Sequence, residues 1–195
     1  MAPNLLIEQQ YKAKIIAGID EAGRGPLVGP VFAAAVIIDQ SNILPDINDS
    51  KKLSPKKRCQ LYEQIRKNYI HAIAFASAAE IDQINILEAT KLACQRDVYA
   101  VISRSDIILV DGNMKFDDSR YISIIKGDQK SLSIAAASIL AKVARDNYMQ
   151  KLHQQFPQYG WDSSKGYGTK PHIQAIKQYG LTPHHRKSFK IAALS

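Results

Sequence analysis

Lys14-Ile15-Ile16-Ala17-Gly18-Ile19-Asp20-Glu21-Ala22-Gly23-Arg24-Gly25-Pro26 is the stretch that decides the fold. Residues 14–19, apolar after Lys14, read as a buried strand. The acid pair Asp20-Glu21 stands at its end. Gly23, Gly25, Pro26, Gly29 and Pro30 then punctuate a tight turn. Residues 31–38 are wholly apolar and read as a second strand. A connection this short joins antiparallel neighbours, because parallel strands need a longer crossover.

Further along the chain, Ser54-Pro55 marks a helix start, Ser as N-cap and Pro in the first turn, with Leu61, Tyr62 and Ile65 on one face. Residues 70–76 read as a third strand and residues 80–104 as one or two helices. Residues 107–110 are apolar throughout, as in a strand covered on both faces, and Asp111-Gly112 ends it. Residues 121–125 supply a fifth strand. Residues 131–149 read as a long helix whose many alanines allow close packing on a sheet. The segment 156–190 carries Pro157, Gly160, Gly166, Gly168, Pro171, Gly180 and Pro183, with one short helix near 172–179. Its recurrent aromatics mark it as an ordered appendage. The sum is an α/β fold: a mixed sheet of about five strands flanked by helices.

The chain has 195 residues and a formal net charge of +8, which favours a polyanionic partner such as nucleic acid. A solvated basic surface is the plainer explanation for most of those charges. Cys59 and Cys94 lack the spacing of a zinc site or a disulfide framework. On a helix Cys94 falls in an apolar stripe with Leu87, Val98 and Val101, which suits a buried, reduced thiol. Residues 1–13 contain no signal-peptide core, and the longest apolar run is too short to span a membrane. The expectation is a cytoplasmic protein with no membrane association.

In open α/β sheets ligands bind beyond the carboxyl ends of strands. Asp20, Glu21 and Asp111 directly follow strands, and Asp128 follows the strand at 121–125 by three residues. Three strand ends thus offer carboxylates to one locus. Converging carboxylates repel one another and need a cation, and hard oxygen donors suit Mn²⁺ or Mg²⁺. Two such ions, about 3.5–4 Å apart, serve phosphodiester cleavage. Each acid alone is as easily a turn or capping residue.

Residues 18–26, Gly-Ile-Asp-Glu-Ala-Gly-Arg-Gly-Pro, closely resemble the opening motif of type 2 ribonucleases H. The resemblance continues through Asp49-Ser50-Lys51-Lys52-Leu53, Val110-Asp111-Gly112, Lys126-Gly127-Asp128 and residues 136–146, then Gly166-Tyr167-Gly168-Thr169 and residues 184–189. It spans about residues 15–190. It implies a ribonuclease H-like catalytic domain over residues 1–155, with 156–195 as a helical, substrate-contacting C-terminal extension of the same domain. With no extra N-terminal domain before the first strand, the expectation is a type 2 rather than a related type 3 enzyme.

The resemblance also implies a function: hydrolysis of the RNA strand of RNA–DNA hybrids, and cleavage 5′ of ribonucleotides embedded in duplex DNA, leaving 3′-hydroxyl and 5′-phosphate ends. Asp20, Glu21, Asp111 and Asp128 are the implied metal ligands. Main-chain groups of Gly23, Arg24 and Gly25 are implied to contact the backbone and the ribose 2′-hydroxyl, which distinguishes RNA from DNA. Tyr167 is implied to stack on the sugar that comes next; packing on the core is its plainer role. Lys51, Lys52, Lys142 and Lys165 are candidate phosphate contacts, with Ser138 on the same helical face as Lys142. His184 and His185 read as structural or rim residues, and the protein as a monomer. Carboxylate pattern alone leaves open another two-metal nuclease, such as a resolvase or integrase. A non-catalytic nucleic-acid-binding module fits the charge but not the four acids.

Overall fold

The computed structural model describes residues 2–11, 14–96, 101 and 103–190. Its sheet contains β1 (Ile16–Ala22), β2 (Val31–Ile37), β3 (Ile70–Ala76), β4 (Ile107–Asp111) and β5 (Tyr121–Ile124). They lie in the order β3-β2-β1-β4-β5. β1 pairs antiparallel with β2 and β2 with β3, as the short connection after residue 22 requires. β1 runs parallel to β4, and β4 to β5. The mixed, helix-flanked sheet matches the sequence expectation.

The helices are α1 (Pro55–Asn68), α2 (Ala78–Gln95), α3 (Leu132–Gln155), α4 (Trp161–Ser164) and α5 (Lys170–Tyr179). The Ser54 side chain caps α1 by accepting from Lys57 N, and the buried Leu61 and Ile65 form its inner face. α2 starts at a capping box made by Ser77 and Glu80. It breaks at Asn85, whose φ is 67°, and the Asn85 side chain caps the second part of the helix by accepting from Leu87 N and Glu88 N. The expected helix at 80–104 therefore begins earlier and is kinked; its part at 97–100 and 102, Val98 included, lies outside the described residues. α3 runs six residues beyond the expected 149.

The core has two faces because strand side chains alternate. Ala17, Ile19, Ala33 and Ala35 meet Ile81, Ala89, Ala93 and the buried thiol of Cys94 on the α2 side. Ala34 and Val36 meet Leu61, Ile65 and the Ala135–Ala141 stretch of α3 on the other. Gly18 is needed here, since a Cβ would lie 2.2 Å from the Ser133 carbonyl carbon. Its absence lets the start of α3 press against β1. The segment after α3 packs Tyr159, Trp161, Ala175 and Ile176 onto Val28, Met149 and Leu152. Among the described residues, no helix is long and apolar enough to cross a membrane.

Candidate active site

The parallel register that joins Ile19 to Val110 places the next residues, Asp20 and Asp111, side by side at the carboxyl ends of β1 and β4. Asp128 enters from the 3₁₀ turn Gly127–Gln129, just ahead of α3. Carboxylate oxygens of Asp20, Asp111 and Asp128 all lie within 4.8 Å of one another. Asp111 Oδ1 accepts from Gly127 N at 2.6 Å, which ties the two elements together.

Glu21 stands apart from this trio. It follows Asp20 on the same strand and so projects to the opposite face. Its Oε1 lies 3.7 Å from Arg24 Nη1, while its Oε2 is buried without a hydrogen-bond partner.

The electrostatics are those of a site built for cations. Burial, then the charges of Glu21 and Asp111, push the Asp20 carboxyl well above its usual range. Burial and Asp128 raise Asp111, and burial raises Glu21. Three crowded carboxylates and an orphaned buried oxygen are costly without positive charge. Lys51 Nζ supplies some, 3.2 Å from Asp128 Oδ2. The hard oxygen donors of Asp20, Asp111 and Asp128 fit a divalent ion such as Mg²⁺ or Mn²⁺.

A cleft of about 440 Å³ opens beside the acids. Among the candidate site residues, Asp20, Glu21, Gly23, Arg24, Gly25, Lys51, Ser138, Lys142 and Tyr167 line it. Lys52 and Lys165 do not. Lys142 Nζ is held by Asp146 at 2.7 Å. Ser138 is buried, and its hydroxyl accepts from Ser50 N and donates to Ala135 O. It therefore anchors the basic loop onto α3.

Sequence reasoning missed two residues, Arg145 and Arg186. Both are 1% exposed. Arg186 donates to the carbonyls of Gly23 (2.6 Å), Arg24 (2.8 Å) and Gly29 (2.9 Å). Arg145 donates to those of Val28 (3.2 Å), Pro30 (3.3 Å) and Lys165 (3.0 Å). Burial and the neighbouring Arg145 charge bring Arg186 down to about 9, still protonated at neutral pH. An arginine signals nothing about its burial in sequence, although Arg145 stands in the expected helix and Arg186 directly follows His184-His185.

Tyr167 lies at the cleft mouth, 51% exposed, its ring beside Gly25. Its carbonyl accepts from His172 Nδ1 at 2.8 Å and Thr169 N at 2.8 Å. His172 Nε2 in turn accepts from Trp161 Nε1 at 3.0 Å. His185 Nδ1 accepts from Thr182 N, and its Nε2 faces His172 Nε2 at 3.4 Å. His185 is thus a structural residue of the segment that carries Tyr167, and burial holds it down to about 4.

The sheet order, with acids at the ends of β1 and β4, is that of the ribonuclease H fold, a class of hydrolytic nucleases. The ribonuclease HII of Archaeoglobus fulgidus, solved in complex with PCNA, superposes with a TM-score of 0.76 at 27% identity, over 91% of this chain and 96% of that one. Ribonuclease H2 of Pyrococcus horikoshii OT3 gives 0.72 at 29% identity, over 90% and 93%. Ribonuclease HII of Rickettsia akari (strain Hartford) is 60% identical over 186 residues, 95% of this chain and 96% of that protein. The family model for ribonuclease HII matches residues 17–192, and the chain belongs to the ribonuclease HII family. It is accordingly a ribonuclease H.

Proposed function

We propose that this enzyme hydrolyses the RNA strand of RNA–DNA hybrids and incises duplex DNA 5′ of an embedded ribonucleotide, leaving 3′-hydroxyl and 5′-phosphate ends. The observation that carries this reading is the cluster of Asp20, Asp111 and Asp128 carboxylates beside a cleft that Asp20 and the glycine turn 23–25 both line. Chemistry and ribose recognition then share one locus.

Asp20, Asp111 and Asp128 would hold the divalent ions, with Glu21 reaching in from the other face of β1. When bound, the ions supply an activated water and neutralise charge on the leaving oxygen. The protein's own contribution is placement. Main-chain N–H groups of the turn meet the 2′-hydroxyl oxygen, and a side chain there would obstruct that approach. The ring of Tyr167 packs on the next sugar. A deoxyribose leaves room for it, and a second 2′-hydroxyl crowds it. Lys51 and Lys142 meet phosphates along the cleft. Lys52 and Lys165 meet phosphates farther from the acids, outside the cleft, and 156–195 is the substrate-contacting extension of a single domain.

The deciding experiment compares a duplex containing one ribonucleotide with the same all-deoxy duplex, with Mn²⁺ or Mg²⁺ and with chelator. The expected result is one metal-dependent cut 5′ of the ribonucleotide and none in the all-deoxy duplex. Cleavage of both duplexes would instead indicate a general two-metal nuclease.

A further inference from the structure

The glycine turn is held from behind by two buried arginines that have no carboxylate within salt-bridge distance among the described residues. An unpaired buried guanidinium is expensive. Every side-chain hydrogen bond of Arg186 goes to a main-chain carbonyl of the segment 23–29, and its Cζ lies 5.0 Å from the Phe189 ring.

The peptide bonds here are trans. In a trans peptide the carbonyl and the following N–H point in opposite directions. Turning the Gly23 and Arg24 carbonyls inward onto one guanidinium therefore turns the N–H groups of Arg24 and Gly25 outward. Neither N–H has an intramolecular acceptor among the described residues. Both residues line the cleft. Arg145 braces the other end of the turn, and Gly23 fits against it only because it has no Cβ, which would lie 2.0 Å from Arg145 Nε.

We infer that Arg186, with Arg145 behind it, is a positioning residue for ribose discrimination: it fixes the orientation of the Arg24 and Gly25 peptides so that their N–H groups meet the 2′-hydroxyl. This rests on the proposed role of the turn in ribose recognition. Arg186 touches no substrate. Lysine at 186 keeps the charge but cannot span three divergent carbonyls, since it lacks the planar fork.

The test takes kcat/KM on a duplex with one ribonucleotide, and the inhibition constant of the identical all-deoxy duplex, for wild type, Arg186→Lys and Arg145→Lys. The expected result is a fall in kcat/KM of at least about threefold, the loss of roughly one neutral hydrogen bond, with the all-deoxy inhibition constant unchanged. Equal weakening toward both duplexes would make Arg186 a mere tie between segments and overturn the inference. A wild type that binds both duplexes equally would overturn the underlying role of the turn, and this inference with it. Should the variants fold poorly, metal-free ¹⁵N-labelled wild type decides: the Arg24 and Gly25 amides shift with the ribonucleotide duplex and not with the all-deoxy one. Identical responses to the two duplexes sink the inference.

Discussion

Lys51 Nζ stands 3.2 Å from Asp128 Oδ2, so an ammonium on a largely exposed side chain is the cation nearest the acid trio. Burial lowers its pKa, but Asp128 and the other acids outweigh that and raise it overall. A divalent ion held by the acids would take over the role of counter-ion and leave Lys51 free for a phosphate. Lys51→Met is expected to lower the salt slope of duplex binding by about one unit in the presence of metal. Titrations of affinity against salt check this, and an unchanged slope would confine Lys51 to the acids.

The acids oppose stability in the metal-free protein. Asp20, Glu21 and Asp111 all have raised pKa values, so their ionised forms are disfavoured by folding at neutral pH. Asp111→Asn is expected to cut the rate by orders of magnitude while raising the metal-free melting temperature by a few degrees, equivalent to roughly 1 kcal/mol. Mn²⁺ should stabilise wild type more than the variant. Thermal melts with chelator and with Mn²⁺, alongside cleavage assays, test all three. Near wild-type cleavage by Asp111→Asn would remove it from the chemistry.

Tyr167 offers a half-exposed ring on a backbone fastened by His172. Tyr167→Ala should slow cleavage at a single embedded ribonucleotide by about tenfold, the scale of one stacking contact. Continuous hybrids, where the next sugar carries its own hydroxyl, should be affected less. The ratio of the two rates is the measurement, and constancy of that ratio would reduce Tyr167 to packing.

The buried His185 makes the protein acid-sensitive. Its folded pKa of about 4 lies below the ordinary value of 6.5. The unfolded chain therefore takes up the proton first, and stability present at neutral pH is lost as pH falls from about 6.5 to about 4. The loss is at most on the order of 3 kcal/mol. The raised acids act in the opposite sense, but they are common to wild type and a His185→Gln variant. The difference between the two melting curves across that window isolates the histidine; parallel curves would rule it out.

The strand ends are legible because β-strand chemistry is local: an apolar run, an acid, a glycine. Those signals locate Asp20, Asp111 and Asp128 and the antiparallel turn after Ala22. They do not separate Glu21 from Asp20, because which face of β1 carries the cluster is decided only when Asp111 and Asp128 arrive from β4 and the turn before α3. The Ser77–Glu80 capping box carries a sequence signature of its own, and a helix read from residue 80 overlooks it. Lys52 and Lys165 share their chemistry with Lys51 and Lys142, and only the fold sorts them. The two arginines stay hidden for the same reason. Their partners are main-chain carbonyls, which carry no sequence signature.

The bonds from Arg186 to Gly23 and Arg24 bridge separations of 163 and 162 residues. Long-range contacts of this kind form late, after local elements and the central sheet. During synthesis the clustered acids and their strands exist well before residue 186 has been made, and the turn beside them stays without its brace. Nascent chains that have not yet reached residue 186 should thus hold a sheet with its carboxylates in place beside a turn whose peptides are not yet fixed. The orientation of the turn is set later than the strands that carry the acids.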